Sequence, residues 1–291
     1  MRYDRLFMHG SLPCPKRELA RRWGGSMARF EEILVHSDHG VKTITLNRPE
    51  RRNALSLRMI QELTQALDEA ESCSCGVVIL TGAGSAFCAG LDLERLATLG
   101  ASTPAEHRRD AENVARVARA LYDFPKPVIA AVNGPAIAGG MMLATIPDFT
   151  LATPESKFGY NEVRVGFVPA MAASFLLRQV GEKRCRELLL TGRLIKAQEA
   201  LCLGLVTQLV AAEELMQTAQ ALAQTLLQNS PQAMQSVKQL LAQHARLRLD
   251  AELEDAIAVN AQQRSADDFK EGVAAFIQKR KPEWPSLKAR V

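Results

Sequence analysis

Val128-Ile-Ala-Ala-Val-Asn-Gly-Pro-Ala-Ile-Ala-Gly-Gly-Met-Met-Leu-Ala-Thr145 is the stretch from which the fold is read. The short apolar, β-branched run Val128 to Val132 has the composition of a buried strand, and Asn133-Gly134-Pro135 is turn chemistry. A glycine pair, Gly139-Gly140, then opens an apolar, helix-compatible segment from Met141 to Ile146, which Pro147 stops. A strand, a glycine-rich turn and a helix start together aim unpaired backbone N–H groups at a developing negative charge. The plainer reading is that the glycines let a helix pack close to a strand. This stretch alone supports both.

A second stretch repeats the pattern. Val77 to Thr81 is a fully apolar strand of the two-sided, parallel kind, followed by the glycine-rich loop Gly82-Ala-Gly-Ser-Ala-Phe-Cys-Ala-Gly90 and a helical start at Leu91-Asp92-Leu93. In parallel α/β architecture both loops lie at the carboxyl ends of their strands and converge on one crevice. One N–H from each would make an oxyanion hole for a carbonyl that gains charge. Neither loop has the dinucleotide fingerprint, and G-x-x-x-x-G-K and G-x-S-x-G are absent from the sequence. A backbone hole without a nucleophile points to enolate stabilisation rather than acyl transfer.

Around these loops, Phe30 to Val35 and Val41 to Leu46 read as a hairpin turning at Ser37-Asp38-His39-Gly40. Residues 47–53 form a polar loop. Ser56 caps a helix with apolar positions Leu57, Ile60, Leu63 and Leu67, and residues 104–122 form another helix. Phe149 to Ala152 is a strand, followed by loop through Glu162. Helices are expected at 171–179, 182–190, 196–203, 212–228, 231–246, 249–263 and 266–280. The expected class is α/β with a helical C-terminal region, divided as a core over 27–211 and a helical region over 212–291.

Residues 1–26 differ in composition, with six basic residues against two acids; the remaining chain balances at 30 and 30. We read them as a disordered tail or upstream extension. A body with no net charge and 5% aromatic residues is a poor candidate for nucleic-acid binding. Six scattered cysteines, none in a C-x-x-C pair, give no metal site and suit a reducing compartment, so a cytoplasmic protein is expected. No apolar run reaches the length of a membrane span. The histidines fall outside the motifs and receive no role.

Three segments carry a specific likeness: Asn47-Arg-Pro…Asn53-Ala-Leu-Ser56; Gly82-x-Gly…Phe87-Cys-Ala-Gly-Leu-Asp-Leu93; and Pro127-Val-Ile-Ala-Ala-Val-Asn-Gly134…Ala138-Gly-Gly140. Phe158-Gly-Tyr-Asn-Glu-Val…Gly166-Phe-Val-Pro169 and Leu189-Leu-Thr-Gly-Arg…Ala197-x-Glu-Ala…Gly204-Leu-Val extend it. Over residues 30 to 285 the chain resembles the enoyl-CoA hydratase/isomerase (crotonase) family, which implies the crotonase-like fold of repeated β-β-α units. The resemblance implies a CoA thioester substrate, with coenzyme A as part of the substrate and no further cofactor. It assigns the thioester oxygen to the N–H groups of Leu91 and Gly139, and the acid/base role to Glu162.

Hydratases of the family carry a second glutamate on the helix after the glycine pair; here that position is Met142, which cannot carry a proton. The resemblance also places Arg52, Ala54, Leu55 and Ala89 along the CoA path, with Phe276 and Lys279 reaching CoA from the C-terminal helices. Asp92 is read first as a helix cap. A homotrimer or hexamer is expected from relatives and from the apolar positions after residue 212. Hydration of a 2-enoyl-CoA and a shift of a 3-enoyl-CoA to the 2-isomer both remain open. The competing class is an acyl-CoA-binding protein of the same fold that has lost turnover.

Overall fold

The computed structural model describes residues 30–288 apart from 93, 94, 96, 97 and 99–101, so the expected N-terminal extension lies outside the described residues. Strands β1 (Ile33–Asp38) and β2 (Val41–Leu46) form an antiparallel hairpin closed by His39 and Gly40, both at positive φ. The expected first strand thus begins three residues late and runs three residues further. Strand β3 (Val77–Gly82) pairs parallel with β2, and β4 (Val128–Val132) pairs parallel with β3. Two-residue β5 (Ala136–Ile137) leaves this sheet, which β6 (Phe149–Ala152) and β9 (Gln208–Leu209) complete in the order β1-β2-β3-β4-β6-β9. β5 instead joins β7 (Lys157–Gly159) and β8 (Ile195–Lys196) in a small second sheet. β7 sits where loop was expected; strands of two or three residues carry too little alternation to be read.

The central strands are buried on both faces, which is why they read as continuous apolar runs rather than alternating ones. Val78 and Leu80 point to the larger core with helices α1 (Leu57–Ser72), α2 (Pro104–Tyr122) and α3 (Gly139–Thr145). Val77 and Ile79 point to the opposite face. The large helix α4 (Ala170–Thr191) packs with the main core and short α5 (Ala197–Cys202) follows it. Helix α6 (Leu215–Leu227) covers the opposite sheet face through Leu215, Ala219 and Ala223. Among the described residues no helix is long and apolar enough to cross a membrane.

Local capping explains where helices start. Ser56 Oγ accepts from the Met59 N–H at 2.9 Å, and Thr103 and Glu106 form a reciprocal capping box at the start of α2. Of the apolar positions at helical spacing, Leu57 is 44% exposed; the first turn of α1 buries Met59 and Ile60. The helices expected at 171–179 and 182–190 are α4, interrupted only at Gly181 (φ 74°). Those expected at 231–246 and 249–263 are one helix, α7 (Pro231–Gln263), because no breaker separates them. Helices α8 (Asp267–Ile277) and α9 (Pro285–Lys288) end the described chain.

One side chain braces the loop after β3. Asn53 is fully buried at φ 55°, a conformation asparagine tolerates. Its Nδ2 donates to the carbonyls of Ala83 (2.9 Å) and Ala86 (2.8 Å), and its Oδ1 accepts from the Arg48 N–H (2.9 Å). Asn53→Ala strands buried polar groups and is expected to cost about 3 kcal/mol in chemical denaturation with little change in slope. A loss below about 1 kcal/mol would show that the brace is dispensable.

Candidate active site

Because β3 and β4 are parallel neighbours, the loops that follow them emerge side by side. They are then stitched together. Ile137 N–H donates to the Cys88 carbonyl at 2.9 Å, and the N–H groups of Phe87 and Cys88 share the Pro135 carbonyl at 3.1 Å each. Contact this close needs glycine: a Cβ on Gly140 would overlap the Cys88 carbonyl oxygen. One on Gly90 (φ 89°) would lie 2.8 Å from Ala138 Cβ and 2.9 Å from the Ile137 oxygen. The close-packing reading of the glycines therefore holds, and it determines which backbone donors are left over.

Two donors remain. In the bridge between Leu55 and Leu91, Leu55 N–H donates to Gly90 O (2.7 Å) and Asp92 N–H to Leu55 O (3.2 Å). The intervening Leu91 N–H therefore faces away from that partner. Ala138, at φ 52° and ψ −125°, is held in a costly conformation by its N–H bond to Gly159 O (2.7 Å). Gly139 begins α3, and the helix bonds to Ala138 O come from Met141 and Met142. Among the described residues, neither the Leu91 nor the Gly139 N–H has a protein acceptor. Both residues line one cavity of about 510 Å³.

Glu162 lines the same cavity from a 3-10 turn, Glu162–Val165, that Gly166 closes at φ 66°. Its Oε2 is buried with no hydrogen-bond partner among the described residues. Burial pushes its pKa up to about 7, opposed only in part by a bond from its own backbone N–H. Met142, 2% exposed, forms another part of the wall and brings no proton. Arg52, Ala54, Leu55, Ala89 and Phe276 also line the cavity; Lys279 is exposed beyond the end of α8 and does not. Asp92 accepts from Arg48 Nη1 at 2.7 Å, so its carboxylate ties the β3 loop to the 47–55 segment. The described residues contain no group of His, Cys, Asp and Glu arranged to hold a metal ion.

Sequence reasoning missed a polar part of the wall. Asn260 and Arg264 lie one turn apart at the end of α7, both buried and both lining the cavity. Arg264 pairs with Asp110, 154 residues away on α2, and its Nε donates to Asn260. The only local signal was the i, i+4 spacing of Asn260 and Arg264, which ordinary surface helices also show.

Residues 36–287 match the family model described as enoyl-CoA hydratase/isomerase. The chain is 43% identical over 257 residues to the "Putative enoyl-CoA hydratase" of Thermus thermophilus, covering 87% of this chain and all of that one. It is 33% identical over 257 residues to the 2,3-dehydroadipyl-CoA hydratase of Escherichia coli, covering 88% and 99%. A crystal structure of an enoyl-CoA hydratase/isomerase from Xanthobacter autotrophicus superposes with a TM-score of 0.80 at 30% identity, covering 86% of this chain and 97% of that one.

The raised pKa of Glu162 has a stability consequence. The unfolded chain ionises this group near 4.5, whereas the folded chain holds its proton to about 7. Between those values the native state binds more protons, so this contribution falls as pH rises and is fully lost above about pH 7. The shift corresponds to roughly 3 kcal/mol at most. Glu162→Gln is therefore expected to match wild type near pH 4.5 and to exceed it in stability by about 2–3 kcal/mol near pH 8. A difference that does not change with pH would contradict this.

Proposed function

This chain belongs to the enoyl-CoA hydratase/isomerase family, and from that premise we propose that it works through a thioester enolate, with Glu162 as its single acid/base. The family acts on acyl-CoA thioesters, and the proposal concerns how this site does so. The observation that carries it is the meeting, in one cavity wall, of two unused backbone donors and one buried carboxylate with an unpartnered oxygen. The Leu91 and Gly139 N–H groups take the thioester oxygen, whose charge grows as the enolate forms; one such donor is typically worth about 3–4 kcal/mol at the transition state. Arg52, Ala54, Leu55, Ala89 and Phe276 flank the CoA part, with Lys279 available only from outside the single-chain wall.

A carboxyl group poised near neutrality serves both directions of proton transfer. In hydration of a 2-enoyl thioester, Glu162 accepts a proton from water as the water oxygen bonds to C3, and then delivers that proton to C2 of the enolate. In a double-bond shift, Glu162 takes a proton from C2 of a 3-enoyl thioester and returns it to C4. The names of the relatives favour hydration. Met142 favours the shift, because that position of α3 offers no second ionisable group to activate water or carry its proton. The binding-only alternative does not account for a carboxylate kept buried and unpaired at a cost in stability.

Glu162→Gln is expected to lower kcat by about 10²–10⁴-fold for whichever substrate, crotonyl-CoA or a 3-enoyl-CoA, the wild type turns over. Full activity in that variant would remove the assignment. Met142→Glu is expected to raise hydration relative to isomerisation; an unchanged ratio would show that position 142 does not meet the reacting carbons. The exposed Val237, Leu240, Leu241 and Leu247 on α7 support self-association as a trimer or a pair of trimers. Sedimentation should then give three or six times the chain mass, and a monomer would contradict it.

A further inference from the structure

Arg264 is the largest fully buried side chain among the described residues, and it lines the cavity. Its Nε donates to Asn260 Oδ1 at 3.0 Å, its Nη1 pairs with Asp110, and its guanidinium sits 5.8 Å over the Phe167 ring. These contacts fix the plane of the group and leave Nη2 with no acceptor among the described residues. Asp110 is also shared: its other oxygen pairs with Arg95, whose Nη1 is likewise buried and without an acceptor among the described residues. Asp92 contributes to the field at Arg95, but its carboxylate is already engaged by Arg48, which also meets Glu32. Two buried guanidinium groups thus lean on one carboxylate.

Burial holds both arginines down to about 10, and the Arg264 charge lowers Arg95 further. A brace between α2 and α7 needs only one arginine per aspartate. Keeping a second cation buried with donors unused costs free energy that a ligand anion would offset. Val114, Val168 and Met171 also line this cavity. Among the lining cations of the described residues, Arg264 is the one that is fully buried and held in orientation.

We propose that Arg264 Nη2 receives a carboxylate carried at the distal end of the acyl chain, so that the preferred thioester is one whose acyl group bears a second, free carboxyl. This rests on the enolate reading above for the position of the thioester carbonyl at Leu91 and Gly139. A methyl-terminated chain leaves Nη2 without an acceptor, whereas a carboxylate supplies one through a charge-assisted bond. A site built around such a donor discriminates strongly against the analogue lacking the acceptor.

The test is calorimetric binding of saturated pairs that do not turn over: glutaryl-CoA against pentanoyl-CoA, adipyl-CoA against hexanoyl-CoA, and suberyl-CoA against octanoyl-CoA, with free CoA as control. Wild type is expected to bind the carboxylated member at least about tenfold more tightly at one of these lengths. Arg264→Met is expected to bring that ratio below about threefold, Arg264→Lys to keep part of it, and free CoA to bind alike in all three. Equal affinities at every length in wild type overturn the proposal, whether or not the Met variant folds. A ratio that survives in Arg264→Met, or an equal loss for free CoA, overturns the assignment to Arg264. Because these ligands are not turned over, a wild type that shows the preference but neither hydrates nor isomerises enoyl thioesters would sink the proposed reaction and leave the carboxylate site standing.

Discussion

Gly140 lies against the carbonyl of Cys88, and most of the site follows from that contact. The two loops that carry it leave adjacent parallel strands in register, Val78 opposite Val128 through Thr81 opposite Ala131. They can approach this closely only because no side chain stands between them. Backbone bonds between Phe87–Cys88 and Pro135–Ile137 then hold the loops in place. The N–H groups of Leu91 and Gly139 are left without a protein acceptor among the described residues and border the cavity. A Cβ at position 140 would push the loops apart and would spoil the packing and the donor geometry together. Asn53 and Asn133 reinforce the arrangement from outside: Asn53 holds the carbonyls of Ala83 and Ala86, and Asn133 Nδ2 holds that of Gly84.

The cavity's electrostatics divide into two parts. At one, the site lies between backbone dipoles and a neutralisable carboxyl, Glu162, with no fixed charge of its own. The raised pKa of Glu162 comes from burial, with no cation nearby to draw it down. At the other, Arg264 and Arg95 keep fixed positive charge in the interior, tied by Asp110. A proton carrier and a permanent cation do different work: the first must change charge during turnover, and the second can only select and orient. Met142 sits in the wall without either property, so the proposed reaction leaves proton transfer to Glu162.

The main strands, the caps and the donor loops were legible because their signals are local. A five-residue β-branched run, a serine three residues before a free N–H, and paired glycines each point to their structure without help from the rest of the chain. Eight of the nine residues assigned to the site by resemblance line the cavity, and Lys279 does not. What was not legible depends on contacts distant in sequence. The Asp110–Arg264 pair spans α2 and α7, and nothing around either residue marks it as buried. Strands β5, β7 and β8 escaped because each exists only through its neighbours in the small sheet. Leu57 stays exposed for a related reason: helical periodicity gives the apolar face but not where along the helix the core begins to cover it.

The central claim is that one carboxylate makes and protonates an enolate held by two backbone donors, whichever net reaction follows. The most direct measurement is exchange of the Cα protons of butanoyl-CoA in deuterated water, followed by proton NMR. This substrate analogue can neither be hydrated nor isomerised, so exchange reports enolate formation alone. The account predicts that the wild-type protein incorporates deuterium at Cα and that Glu162→Gln, folded and still binding butanoyl-CoA, does not. Exchange at an undiminished rate in the variant, or none in the wild type, would contradict it.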